Sequence, residues 1–270
     1  MPRFSSMLSG FVCAAAALCA LVIMPAETTA QTLACSSPSD LDRLDQPLRR
    51  VAQRVAARQP LTVVAIGSSS TAGAGASSSA ASYPSRLEIE LRERFHNHAV
   101  RVLNRGVGGE EMADMLARFD KAVLAEQPDL VLWQLGTNSV LRDHGLAGTE
   151  ALIHQGVARI KATGADVVLI DPQFAPKVIV KADAERMVEL IGTAAKMDNV
   201  SVFHRYVLMR YWSKVRQIPF DTFVSPDGLH MNDWSYACVA KVLGAAIYDA
   251  ATRATAVAGA PHVQSVTPAH

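Results

Sequence analysis

The chain has 270 residues, enough for one sizeable core, and its 26 Lys and Arg stand against 25 Asp and Glu, a formal net charge of +1. So even a balance excludes a field strong enough to gather nucleic acid or an anionic membrane surface, and neither is expected as a partner.

Arg3 precedes an apolar run over residues 11–24, which is followed by Pro25 and the small residues Thr28-Thr29-Ala30. This order of basic, apolar and small residues predicts a secretory signal over 1–30, cleaved after Ala30. The run falls short of the about 20 apolar residues that a membrane span needs, so no anchor is expected after cleavage. Export to the periplasm or outside the cell follows. Cleavage removes Cys13 and Cys19 and leaves Cys35 and Cys238. In an exported protein these two can pair, which would pin the amino-terminal arm to the last helix. An unpaired buried Cys238 with a free Cys35 fits the sequence as well.

Residues 38–59 place Leu41, Leu44, Leu48, Val51 and Val55 at helical spacing, with a bend or restart expected at Pro47. Pro60 breaks that pattern, and 61–66 read as a buried strand that stops at Gly67. Residues 68–82 contain only Ser, Thr, Ala and Gly. Pro84 suits a helix start, continued by Leu87, Ile89, Leu91 and Phe95. A second strand at 99–103 ends on Asn104-Arg105-Gly106-Val107-Gly108-Gly109, and a helix is expected over 111–126. The third strand, 129–135, ends at Gly136-Thr137-Asn138. A helix at 147–163 leads to the fourth strand, 166–170, ended by Asp171-Pro172. Then come a helix at 182–197, a short fifth strand at 200–203, a helix at 205–216, a loop at 218–231 and a final helix at 233–254. Residues 255–270 lack periodicity and read as a frayed, disordered tail. Five apolar strands alternating with amphipathic helices predict an α/β fold, a five-stranded parallel sheet covered on both faces, in one domain over 31–254.

The Ser-rich loop is neither a phosphate loop, for want of a lysine, nor a dinucleotide fingerprint, for want of a third glycine. It also lacks the G-x-S-x-G elbow, since Thr71 stands where the second glycine belongs. What raises its interest is company. Gly67-Ser68-Ser69, Gly108-Gly109 and Gly136-Thr137-Asn138 follow successive strands, and a parallel sheet puts those strand ends on one edge. Asp227-Gly228-Leu229-His230 stands near the carboxyl end of the chain.

Together these blocks resemble the SGNH (GDSL-like) hydrolases, and the resemblance spans roughly residues 61–245. It implies a three-layer, flavodoxin-like α/β/α sandwich and an ester-hydrolysing enzyme. Block by block it makes Ser69 the nucleophile, His230 the base and Asp227 the residue that orients the base. It assigns the oxyanion hole to the Ser69 and Gly109 N–H groups and the Asn138 amide. A serine hydroxyl is a weak nucleophile without an adjacent base, and the oxyanion formed on attack needs preorganised donors. Two departures stand out: Ser68 replaces the aspartate of Gly-Asp-Ser, and Ser139 replaces the acid that often follows the asparagine.

The resemblance implies no metal and no cofactor. It points to a small-molecule or polysaccharide ester as partner, and the polar loop and export favour short acyl or O-acetyl groups on carbohydrate. A lysophospholipase or thioesterase-like lipase, a sugar O-acetyltransferase and a non-catalytic carbohydrate-binding accessory protein are the alternatives. Asp171 is a rival for the orienting acid by position. His96 and His98 read as a solvated loop rather than a metal pair. The cationic, aromatic segment with Arg205, Tyr206, Arg210, Tyr211, Trp212 and Arg216 reads as helix packing, with sugar contact as the other reading. Glu110 and Glu111 read as the acidic start of a helix.

Overall fold

The protein is described by a computed structural model covering Met1 and residues 35–38, 41 and 43–258, with side chains to residue 254. The signal expected over 1–30, Met1 aside, and the tail beyond residue 258 lie outside the described residues. In chain order the elements are α1 (Arg49–Ala56), β1 (Leu61–Gly67), α2 (Ser69–Ala72), α3 (Tyr83–Arg94) and β2 (Val100–Gly106). They continue with α4 (Met112–Ala117), α5 (Phe119–Ala122), β3 (Leu130–Gln134), α6 (Thr137–Leu141), α7 (Thr149–Lys161) and β4 (Asp166–Ile170). The remainder is α8 (Pro176–Ile179), α9 (Ala184–Met197), β5 (Ser201–Phe203), α10 (Arg205–Lys214), α11 (Phe220–Phe223) and α12 (Asp233–Ala258).

The five strands form one parallel sheet in the order β2-β1-β3-β4-β5. β1 and β3 are central and almost wholly buried, as continuous apolar strands covered on both faces should be. One helical layer holds α1, α3 and α12, and the other holds α4, α7 and α9. This is the α/β fold expected from the alternation of strands and helices.

Some elements differ from their sequence patterns. The helix expected over 38–59 is confined to Arg49–Ala56. Pro47 has no N–H to give, and the helix is capped instead from β4, where Asp166 Oδ2 accepts the Val51 N–H at 3.0 Å. The helix expected over 111–126 breaks at Arg118, between α4 and α5, where the guanidinium turns back to the Glu110 carboxylate and the Arg105 carbonyl. β2 runs three residues beyond its expected end, because an edge strand tolerates Asn104 and Arg105 while its backbone pairs with β1 as far as Gly67 and Gly106. Gly106 must be glycine: a Cβ there would lie 2.1 Å from the Ala72 nitrogen, so α2 packs directly on the end of β2.

Cys35 and Cys238 form a disulfide with their Cα atoms 5.3 Å apart, which ties the amino-terminal arm to α12. Trp212 and Arg216 of the α10 region also hold the arm through the Ser36 carbonyl (2.9 Å) and hydroxyl (2.6 Å). Among the described residues no helix is long and apolar enough to cross a membrane.

Candidate active site

β2 lies on one side of β1 and β3 on the other, so the chain reverses its direction of travel across the sheet at β1. The carboxyl ends of these strands flank the crevice that such a switch point opens, the usual ligand site of an open α/β sheet. Ser69 stands at the end of β1 as the first residue of α2.

Ser68, which stands where the Gly-Asp-Ser pattern has its aspartate, is 1% exposed. Its N–H and hydroxyl donate to Gln134 Oε1 at 3.0 and 3.1 Å, and the Thr71 hydroxyl donates to the same oxygen at 3.3 Å. A neutral amide at the end of β3 therefore gathers the donors of the serine loop. Gln134 carries no motif signal, and only its place at a strand end beside the Ser block hints at the role.

The His230 loop is a narrow hairpin. Val224 and Met231 pair across it, and the Ser225 N–H donates to the His230 carbonyl at 2.8 Å. Inside the hairpin Asp227 Oδ1 accepts from the Ser225 hydroxyl (2.8 Å), the Leu229 N–H (2.8 Å) and the His230 N–H (2.9 Å). Asp227 Oδ2 faces His230 Nδ1 at 2.5 Å, and His230 Nε2 lies 2.8 Å from Ser69 Oγ. Burial pushes the Asp227 carboxyl up, but the bonds from the His230 ring, the two backbone N–H groups and Ser225 outweigh it and hold it far below the usual carboxylate range. A carboxylate ionised in this way fixes a proton on Nδ1 and leaves Nε2 free to take one from the Ser69 hydroxyl.

The glycine loop closes a second side. A Cβ on Gly108 would sit 3.9 Å from the Ser69 Cβ, so this backbone lies against the serine. Gly109 has φ +79°, a left-handed conformation that other residues adopt only with strain. Asn138 Nδ2 donates to the Glu110 carbonyl at 2.7 Å, which fixes the amide and leaves its second N–H available. Arg142 Nη2 holds the Gly109 carbonyl at 2.7 Å. Glu110 and Glu111 do more than open α4. Glu110 pairs with Arg118 at 2.6 Å. Glu111 accepts from Ser139 (2.8 Å) and Arg142 (2.5 Å) and meets His144 Nδ1 at 3.2 Å. Burial raises the Glu111 carboxyl, but Arg142, Ser139 and His144 together bring it below its ordinary value. The acid that Ser139 lacks is thus delivered from the glycine loop.

The rival acid Asp171 faces elsewhere. Its carboxylate accepts the Tyr206 N–H at 2.8 Å and lies 3.4 Å from His204 Nδ1, so it caps α10, and its closeness raises the His204 pKa. His98 bonds to the Gln59 carbonyl at 2.7 Å. Among the described residues no group of three or more His, Cys, Asp or Glu side chains could hold a metal ion. The cationic segment packs: Tyr206 meets Phe174 edge-on, Trp212 meets Phe223 and Trp234, and Arg210 pairs with Glu185 at 3.6 Å.

An arylesterase of Vibrio mimicus is 33% identical over 95 residues, 35% of this chain and 46% of that protein. An acetylxylan esterase of Geobacillus stearothermophilus is 38% identical over 56 residues, 21% of this chain and 26% of that one. The chain thus spans less than half the length of the curated relatives it matches. Among solved structures, a two-domain esterase active on acetylated mannans, co-crystallised with mannopentaose, superposes with a TM-score of 0.65 at 21% identity, over 80% of this chain and 58% of that one. The acetyl xylan esterase AlAXEase gives 0.58 at 19% identity, over 69% of this chain and 100% of that one. Such identities show the fold. The family evidence is broader: the model of the Non-GDSL lipase-like family matches residues 34–253, nearly the whole described chain, and the protein belongs to that family.

Proposed function

We propose that the protein is an exported serine esterase that removes short acyl groups, O-acetyl on carbohydrate above all, through an acyl-enzyme on Ser69. The observation that carries this reading is the unbroken line from Asp227 through His230 to the Ser69 hydroxyl. In the first half-reaction His230 Nε2 takes the Ser69 proton as Oγ attacks the ester carbonyl. The Ser69 and Gly109 N–H groups and the Asn138 amide receive the negative charge of the tetrahedral intermediate. Its collapse breaks the bond to the alcohol, which leaves with the proton from His230. Water then attacks the acyl-enzyme, again giving its proton to His230, and the acid departs. Export is supported by the disulfide, a bond at home in oxidising compartments. The acetyl reading is supported by the polar, small-residue loop beside Ser69 and by relatives named for acetylated xylans and mannans.

Turnover of p-nitrophenyl acetate, butyrate and octanoate, with acetate release from acetylated xylan and mannan, tests this reading. We expect the acetate ester to exceed the octanoate in kcat/KM by at least about tenfold, the scale of an acyl pocket's discrimination between apolar chains. A preference for octanoate would replace the acetyl reading with a lipase-like one. Acetyl transfer to added sugar in place of free acetate would make the protein a transferase.

A further inference from the structure

We infer that Gln173 is a positioning residue that ties the Asn138 side of the site to the His230 side, held in place by the buried Arg205. The inference rests on the reading of Ser69, His230 and Asn138 as the reacting groups. Gln173 lies just past β4 and is 1% exposed. Its Oε1 accepts from the Thr137 hydroxyl and from Arg205 Nη2, both at 3.0 Å, and its Nε2 donates to the Leu229 carbonyl at 3.4 Å. Thr137 immediately precedes Asn138, and Leu229 immediately precedes His230. One amide therefore touches both neighbours.

The donors fix its orientation. Thr137 and Arg205 both offer hydrogens, so the carbonyl oxygen must face them, and the amide nitrogen is left for the Leu229 carbonyl. Arg205 is itself 1% exposed and donates through Nε to the Asp171 carbonyl at 3.0 Å. A cation taken fully out of water is costly unless its partners hold it firmly, and an apolar side chain of similar volume often serves stability as well. Its place under the junction of α6 and the His230 hairpin gives it a second use. Asp227, Ser225 and Val224 orient His230 within the turn. The turn's backbone is tied to the segment after β4 by the Lys177 N–H on the Gly228 carbonyl at 3.0 Å and by Gln173 on the Leu229 carbonyl, and of these two ties Gln173 also bonds the residue beside Asn138.

The test is a double-mutant cycle in the full chain with Gln173→Leu and Thr137→Val. It is read as kcat on p-nitrophenyl acetate per fluorophosphonate-titrated site, so that unfolded protein does not count. Gln173→Leu should lower kcat about 10- to 100-fold, the scale of a misplaced reacting group, and Thr137→Val should lower it less. The double variant should match Gln173→Leu alone, because both break one link. The pH midpoint of kcat/KM should not move, since the Asp227–His230 pair stays whole within its own turn. Should Gln173→Leu fail to fold, Gln173→Glu keeps both acceptor contacts but sets a carboxylate oxygen against the Leu229 carbonyl in place of the donor; it should still lower kcat at least about tenfold, and the pH midpoint, which its added charge can shift, is not read for this variant. Wild-type kcat per site in the folded Gln173 variant, strictly additive losses or a displaced pH midpoint would overturn the inference. Activity in Ser69→Ala would instead overturn the reading on which it rests.

Discussion

At the amino edge of the sheet Asp129 is 1% exposed, and every one of its bonds ends on the scaffold. Oδ1 accepts from Arg50 Nε (2.9 Å) and Arg54 Nε (2.6 Å), and Oδ2 accepts the Thr62 N–H at 3.0 Å. At the carboxyl edge the Asp227 side chain is 43% exposed, and its bonds lead outward, through a 16%-exposed His230 ring, to the hydroxyl of Ser69. Both aspartates are well bonded. What separates them is the last atom of the network, a backbone amide or guanidinium in one and an accessible hydroxyl beside spare N–H donors in the other. A bonded carboxylate is therefore a poor sign of chemistry by itself, and the group at the end of its chain of hydrogen bonds decides.

Substitutions at the two edges should separate cleanly. The largest effect is expected at Asp227→Asn, which keeps the shape of the hairpin but no longer enforces the Nδ1–H tautomer. It should lower kcat by about 10⁴-fold, with a thermal midpoint close to that of the wild type. A loss under tenfold, measured with p-nitrophenyl acetate, would put the two edges on the same footing. Next comes Asp129→Ala, which leaves the Thr62 N–H unsatisfied and two arginines unpaired. It should cost about 3 kcal/mol in urea unfolding, near the low end for a broken buried pair because both arginines retain water. Its kcat per titrated site should be unchanged.

The smallest effect sharpens the comparison within the amino edge. Burial pushes the Asp166 carboxyl up to about 6, against the pull of the α1 backbone N–H groups of Val51, Arg50 and Arg49 and of the Arg50 charge. The folded value lies above the unfolded one of 3.8, so the native state binds more protons between them. The stability contributed by this group is full below about 4 and is lost as pH rises through about 6. Asp166→Asn, which cannot ionise, should flatten that part of the profile by about 1–2 kcal/mol. Thermal midpoints from pH 4 to 7 check this, and a variant that runs parallel to the wild type would contradict it.

The two edges also differ in how far they can be read from sequence. β1 and β4 were legible because their apolar runs are bounded by Gly67 and Asp171. The Ser69, Gly109 and Asn138 blocks stood out because small and amide residues fall at the ends of β1, β2 and β3, whereas the His230 block follows no strand and was picked out by its Asp-x-x-His spacing and its place in chain order. Gln134, Gln173, Arg142 and Arg205 were not legible. Their partners lie 66 positions away for Gln134 and Ser68, and 32 for Gln173 and Arg205, with no periodicity to announce them. Ser68 and Ser139 looked like losses of acid for the same reason, since the groups that serve them, Gln134 and Glu111, arrive only when strands β1 to β3 come together. The overlong helix at 38–59 has a related cause: its spacing was helical throughout, but the cap that starts α1 comes from Asp166 on another strand.

The claim on which the rest depends is that the hydroxyl at the end of the carboxyl-edge network is the nucleophile. Incubating the full chain with a fluorophosphonate and locating the adduct by peptide mass spectrometry tests it directly. The account predicts one adduct, on Ser69, with parallel loss of p-nitrophenyl acetate turnover, and neither labelling nor turnover in Ser69→Ala. An adduct on Ser68, Ser70 or any other residue, or a Ser69→Ala variant that keeps its turnover, would contradict it.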